Sequence, residues 1–306
     1  MVLTEQQLIE LKAHEAFIRR ASQVNFPFML KGSYVTRQYF FDPNDRIPAD
    51  LDWVYLHPLN DANTARDVLN EWVTAVTELE SNDGVQYRSF KENEFWRRID
   101  YAMADDFPTA NTDLLCWVNG VEIEFSLDVS FNLEIEESPI PLIYEPLEGD
   151  AFIVPYTVPL SLQVSWKIHQ TLVRPRFKDL FDLMYLVRHP DFDEKALTAT
   201  LQALVNECHV DKVNKEKLEY FFNYKLAKLF VYKTIDETWE DWRNEKSWYS
   251  ERAENITNAD KIPKELSQFL AEFQAALEGA GLDKTVLAKL PKAARNKRVF
   301  FDGLLD

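Results

Sequence analysis

The sequence predicts an α+β chain in which a mixed-sheet domain over residues 1–150 is followed by an all-helical domain over 151–306. Three observations carry this reading. Residues 121–131, VEIEFSLDVSF, alternate apolar and polar side chains without a break, the period of a strand with one face buried. Residues 134–159 set Pro139, Pro141, Pro146, Pro155 and Pro159 among glutamates, a composition that interrupts regular structure and marks a boundary. Beyond it apolar residues recur at helical spacing, beginning with Leu160, Val164, Ile168 and Leu172.

Composition supports two cores and narrows the function. A chain of 306 residues that is 46% hydrophobic is long enough for two domains and is not disordered. Its 51 acidic against 34 basic residues leave a net charge of -17, which excludes broad adhesion to nucleic acid while leaving a local basic patch open. Cys116 and Cys208 stand far apart without C-x-x-C or paired His spacing, so neither a zinc site nor a disulfide framework is expected. The opening MVLTEQQLIELKAHE is acidic and polar where a secretion signal needs a basic start and an apolar run, and no later stretch reaches membrane-spanning length. A soluble, cytoplasmic protein without a membrane partner is the expectation.

Taken in order, residues 4–22 form a helix with a Thr4/Gln7 capping box. A strand follows at 28–30, then a Gly32-Ser33 turn, a helical turn over 34–40 and a strand from Asp50 through Leu56. Asn63 or Thr64 caps a helix lined by Val68, Trp72, Val76 and Leu79 and ended by Asn82-Asp83-Gly84. Strands are expected over 85–90, 97–104 and 113–118, with Asn119-Gly120 as the hairpin turn into 121–131. In the second half, Arg174-Pro175 stops the first helix and a second begins near Phe177. Amphipathic runs continue at 194–206, 214–233, 236–252, 263–278 and 284–296. Their aromatics, Phe221, Phe222, Phe230, Trp239, Trp242, Trp248, Phe269 and Phe273, read as bundle core rather than a base-stacking platform.

The densest chemistry lies in residues 31–52, KGSYVTRQYFFDPNDRIPADLD. In a strand, Asp50 and Asp52 share one face while Leu51 and Trp53 take the other. Paired carboxylates of this kind suit Mg2+ in the presence of phosphates, and a glycine lets backbone amides approach a phosphate closely. The order Gly-Ser, then D-x-D, suggests a nucleoside-triphosphate site. The polar face of 121–131 is either solvated or supplies a third acid, from Asp128 or Glu124. Downstream, Lys167, Arg174, Arg176, Lys178 and Asp179 concentrate charge within an apolar helical pair. Each alone reads as a solvated helix end, but together they offer the cationic surface a triphosphate requires.

These motifs resemble the AbiEii/AbiGii group of nucleotidyltransferases, the toxin components of bacterial toxin–antitoxin or phage-abortive systems, within the polymerase-beta-like superfamily. The resemblance is carried by Lys31-Gly32-Ser33 with Arg37, by Asp50-Leu51-Asp52 after Arg46, by Leu127-Asp128-Val129, and by Lys167-Ile168-His169, Arg174-Pro175 and Arg176-Phe177-Lys178-Asp179-Leu180-Phe181-Asp182-Leu183. It spans roughly residues 25–190. It implies that Gly32 and Ser33 hold phosphates, that Asp50, Asp52 and Asp128 bind the catalytic metal, and that Lys167 contacts the triphosphate. Arg37, Arg174, Arg176 and Lys178 join the nucleotide site, and Asp179 is a catalytic carboxylate. Relatives often carry two glycines at Gly32-Ser33 and a small residue at Gln170, and neither departure removes a charge.

The implied reaction is Mg2+-dependent transfer of a nucleotide from an NTP to a hydroxyl, with RNA such as a tRNA 3′ end as acceptor and a cognate antitoxin as partner. Either Asp128 or Asp179 is the base. The basic run Lys284, Lys289, Lys292, Arg295, Lys297 and Arg298 either tracks a phosphate backbone or is a solvated final helix. The rivals are a nucleotidyltransferase acting on a small molecule such as an antibiotic, or on a protein, and a non-catalytic interaction module.

Overall fold

The computed structural model describes residues 3–48, 50–98, 109–244 and 261–294. The chain is a mixed α/β protein with one mixed sheet and many helices. It divides into two compact units, Val2–Gln38 with Asp50–Val158, and Tyr39–Ala49 with Pro159–Lys297. No helix among the described residues is long and apolar enough to cross a membrane.

The first unit opens with α1 (Glu5–Ala21), started by the expected capping box between Thr4 and Gln7. Strands β1 (Phe28–Lys31), β2 (Leu51–Tyr55), β3 (Val85–Tyr87), β4 (Arg97–Arg98), β5 (Thr109–Val118), β6 (Val121–Ser130), β7 (Ile140–Tyr144) and β8 (Phe152–Thr157) form one sheet. Its order is β3-β5-β6-β2-β1-β8-β7, with β4 also paired to β5. The β2–β6 and β1–β8 pairs are parallel and the others antiparallel. Asn119 and Gly120 both take positive φ, 51° and 84°, as a tight two-residue hairpin between β5 and β6 demands. Leu51 and Trp53 are buried, and Trp53 packs edge-on against Phe17 of α1 and Trp72 of α3 (Ala62–Thr77). Phe28 stacks on Trp72 with centroids 3.8 Å apart, and burying rings of this size stabilises the unit by ~2–3 kcal/mol each.

Local chemistry moves several expected boundaries. The cap of α3 is Asp61, whose carboxylate accepts from the Thr64 N–H at 2.9 Å, so Asn63 and Thr64 fall inside the first turn. The helix ends at Thr77, and Asp83 of the Asn82-Asp83-Gly84 turn instead pairs with Arg20 at 2.9 Å. The proline-rich stretch, expected to lack regular structure, contains the β7–β8 hairpin. Pro141 and Pro155 fall at its register shift, between the Ile140–Thr157 and Leu142–Val154 pairs, where a missing N–H breaks no ladder bond. Since β8 also pairs with β1, this hairpin is part of the sheet.

The second unit contains α4 (Leu160–Val173), α5 (Phe177–Leu186), α6 (Glu194–Val210), α7 (Lys215–Phe222), α8 (Ile235–Arg243) and α9 (Leu266–Gly279). Its core gathers around Phe177, which stacks near Phe230 and Trp242 and meets Trp239 and Phe269 edge-on, the bundle role expected of these aromatics. The segment Tyr39–Ala49 belongs to this unit because Phe40 stacks on Tyr185 at 4.3 Å and tilts against Phe181. The run 214–233 is not one helix. It breaks after Phe222, where Tyr224 adopts φ 57° and a short 3₁₀ turn, Leu226–Lys228, follows. The run from 284 is a 3₁₀ turn, Lys284–Ala288, ahead of Leu290-Pro291. Residues 99–104, residues 245–252 with Trp248, and Arg295, Lys297 and Arg298 lie outside the described residues.

Candidate active site

The sheet aligns four polar residues across four neighbouring strands. Lys31 of β1 is the partner of Asp52 of β2, Asp52 of Asp128 of β6, and Asp128 of Asn111 of β5. Residues in register share a face, so these side chains form one row, opposite the face where Trp53 is packed. Lys31 Nζ lies 3.1 Å from Asp52 Oδ1, and Asn111 Nδ2 donates to Asp128 Oδ1 at 2.5 Å. Asp128 is buried and Asp52 is half-buried.

The row explains the divided polar face of β6. Glu122, Glu124 and Ser126 are exposed, whereas Asp128 and Ser130 are buried, because β2 runs alongside β6 only from Leu127 onward. Asp128, and not Glu124, is the β6 carboxylate in register with Asp52. Asp50 precedes the first residue of β2 and is exposed, so strand alternation alone does not place it.

Gly32 closes the row at one end. It has φ 73°, and a Cβ there would collide with the Asp52 carboxylate, so the position admits only glycine without displacing Asp52. Its carbonyl accepts from the Thr36 N–H and hydroxyl, each at 3.0 Å, which begins α2 (Ser33–Thr36) with Ser33 half-buried. Arg37, expected at the nucleotide, is buried. Its guanidinium pairs with Glu15 at 2.5 Å and lies 3.4 Å from the Tyr144 hydroxyl, tying α1 to β7.

Among the described residues no group of three or more His, Cys, Asp or Glu is drawn together closely enough to hold a metal ion. The donor chemistry nonetheless fits a hard divalent cation. Two carboxylates stand in register, and Asn111 Oδ1 beside them is buried without a partner among the described residues.

The helical unit holds a contrasting arrangement. Asp179 and Asp182 lie three residues apart on α5, hence on one face, and Lys167 of α4 reaches both, at 3.1 and 2.8 Å. Arg46 Nε lies 3.0 Å from Asp182 Oδ1, and Arg176 Nε lies 2.6 Å from Asp179 Oδ2. Gln170, in place of a smaller residue, accepts from Arg176 at 3.2 Å. Both aspartates are 0% exposed. Burial pushes the Asp179 carboxyl upward, but Arg176, Lys167 and Lys178 outweigh it and hold it well below the ordinary carboxylate range. Asp182 is depressed in the same manner, burial being outweighed by Arg46 and Lys167. Lys178 is half-buried and Arg174, the C-cap of α4, is exposed.

Sequence reading gave no site role to Lys31, Arg46 or Asp182, although all three stand in the motifs quoted for the resemblance, and it did not single out Asn111. The i, i+3 aspartates facing a lysine in an apolar helix were a signal for Asp182. Arg46 had none beyond its place before the D-x-D, and Asn111 carried no signal in its own strand.

Comparison with known proteins places the chain in a family. A family model described as nucleotidyl transferase AbiEii toxin, type IV toxin–antitoxin system, matches residues 17–278. Among solved structures, JHP933 from Helicobacter pylori is similar at 17% identity and TM-score 0.45, covering 94% of this chain and 96% of its own. MenT4, a nucleotidyltransferase toxin from Mycobacterium tuberculosis, is similar at 12% identity and TM-score 0.49, covering 92% and 93%. No curated protein matches. With 17–278 matched, the chain belongs to the AbiEii nucleotidyltransferase toxin family of type IV toxin–antitoxin systems and is a nucleotidyltransferase.

Proposed function

We propose that this toxin transfers a nucleotide from an NTP to a hydroxyl of RNA, such as a tRNA 3′ end, in a Mg2+-dependent reaction in the cytoplasm, held in check by a cognate antitoxin and serving phage defence. The observation that carries the reading is the in-register pair Asp52 and Asp128, with Gly32 kept free of a side chain where one would strike Asp52.

Asp52 and Asp128, joined by Asp50, are the residues that would hold Mg2+, which when bound supplies neutralisation of phosphoryl charge. Gly32 and the amide of Ser33 meet phosphate oxygens, since the absence of a Cβ permits close approach. Lys167, Arg174, Arg176 and Lys178 carry the remaining triphosphate charge. Arg37 acts through Glu15, positioning α1 and the turn after Gly32. A general base needs a pKa near the working pH, which cations packed against a carboxylate take away. The double pairing of Asp179 with Lys167 and Arg176 argues against it in that role and favours Asp128 for accepting the acceptor proton. Asp179 then holds the two cations in place.

Incubation of the full chain with each labelled NTP, Mg2+ and total RNA should label RNA, and the Asp50→Ala Asp52→Ala variant should not. Label found only on a small molecule or a protein overturns the RNA acceptor. Growth arrest on expression should disappear in Asp52→Ala; arrest that persists would mean that toxicity is not catalytic.

A further inference from the structure

One segment of this acidic chain is strongly basic, and it is not the run expected from the sequence. Between residues 212 and 233 lie Lys212, Lys215, Lys217, Lys225, Lys228 and Lys233, against only Glu216 and Glu219, in a protein of net charge -17. Most of these lysines are exposed, and Lys217 is half-buried.

The break after α7 determines how the segment is presented. Tyr224 turns the chain in the left-handed region, the Lys225 N–H donates to Tyr220 O at 2.8 Å, and the Leu226–Lys228 3₁₀ turn follows. Leu226 and Leu229 are buried and anchor the loop, leaving Lys225 and Lys228 pointing outward. Among the described residues neither lysine pairs with a carboxylate, whereas Lys233 is held by Asp241 at 2.5 Å. Val231 is 70% exposed and Tyr232 is 99% exposed. The Tyr232 ring stays in solvent, whereas Phe221 and Phe222 of α7 are buried, and a solvated ring at the tip of a lysine-rich loop is a surface on which a planar partner can stack.

Two contacts fasten the strip to the α4–α5 junction. Phe230, next to the exposed pair, stacks on Phe177, the first residue of α5, with centroids 5.6 Å apart. Lys217 donates to the carbonyl of Leu172 in the last turn of α4 at 2.7 Å. The strip therefore adjoins Arg174 and Arg176, extending their positive charge along one loop.

We propose that residues 212–233 form a docking strip for single-stranded RNA, with Lys225 and Lys228 meeting backbone phosphates and Tyr232 stacking on a base. The proposal rests on the RNA-acceptor reading above and names the surface that would bring the acceptor in. Lysines alone would suit any polyanion, but a solvated ring among them adds a platform that every nucleobase can use and that an acidic protein or a lipid headgroup does not need.

The test is anisotropy of a fluorescent single-stranded RNA titrated with the full chain between about 50 and 200 mM salt. Lys225→Glu Lys228→Glu should weaken binding and flatten the salt dependence by about one and a half log units per decade for the two contacts. Tyr232→Ala should weaken binding by about 5- to 150-fold, with little change in that slope. NTP binding by calorimetry should be unaltered in both variants. RNA binding by these variants equal to the parent's overturns the strip and leaves the RNA acceptor standing. Failure of the parent protein both to bind and to label RNA overturns the acceptor reading and the strip with it. Poly-glutamate or phosphatidylserine vesicles bound as tightly as RNA would show that the surface recognises charge alone and also overturn it.

Discussion

The two units each hold carboxylates beside cations, but they leave those carboxylates in opposite conditions. In the sheet, Lys31 pairs with Asp52 and Asn111 donates to Asp128, and Asp52 retains access to solvent. In the helical unit, Asp179 and Asp182 are wholly buried and hold three cations, Lys167, Arg46 and Arg176. A buried carboxylate already paired with cations stabilises its neighbours and is held ionised, which leaves it little to offer a proton. A carboxylate that reaches solvent, as Asp52 does, can exchange its partner for a ligand. The sheet row is thus suited to chemistry and the helical network to holding cations still.

Truncation should separate the two conditions most sharply. Asp182→Ala leaves the buried Arg46 without its carboxylate and Lys167 with one of its two, and should cost about 3–5 kcal/mol in denaturant unfolding. Asp52→Asn removes a half-exposed ion pair and should cost about 0–1 kcal/mol, while lowering nucleotide transfer by about 10²–10³-fold. Equal stability losses in the two variants would show that the sheet row is as structural as the helical network.

This contrast marks where the sequence was legible. Period-two alternation revealed β6, and the Thr4/Gln7 and Asn119-Gly120 signatures revealed α1 and the hairpin, because each is a short-range effect. Asp52 opposite Trp53 followed from the same alternation. That Asp128 rather than Glu124 stands beside Asp52 did not, since it depends on where β2 begins to run alongside β6, a tertiary fact. Pro141 and Pro155 concealed a hairpin because a proline at a register shift costs no ladder bond. The membership of Tyr39–Ala49 in the helical unit was hidden for a similar reason, as Phe40 finds Tyr185 and Arg46 finds Asp182 some 140 residues away.

A gentler way to disturb only the sheet row is Gly32→Ala. The new methyl group must displace the Asp52 carboxylate, and alanine at φ 73° is itself strained, for a combined loss of about 1–3 kcal/mol. Transfer activity should fall further than this stability loss explains at temperatures where the variant is folded. Retained activity would mean that Asp52 can shift without consequence, and the row would lose its claim to pre-organisation.

Acid should affect the units in different windows. His14 is buried against Phe125, its Nδ1 2.5 Å from the Tyr34 hydroxyl, and burial lowers its pKa from 6.5 to about 3. A histidine depressed in the folded state contributes stability that is complete above pH 6.5 and drains away as pH falls toward 3. At pH 5 the loss is about 2 kcal/mol. Glu15, raised by burial, works in the opposite sense in the same unit, so the decisive comparison is with His14→Gln, which removes the histidine's contribution alone. Asp179 and Asp182 are depressed from 3.8, so their contribution is complete above that pH and is lost only below it. Hydrogen exchange at about pH 7 and about pH 5 should therefore show β5 and β6 losing protection while α5 keeps it, and His14→Gln should abolish most of the difference. Parallel loss in both units, or an unchanged pH dependence in the variant, would show that the two sets of buried groups do not differ as their surroundings require.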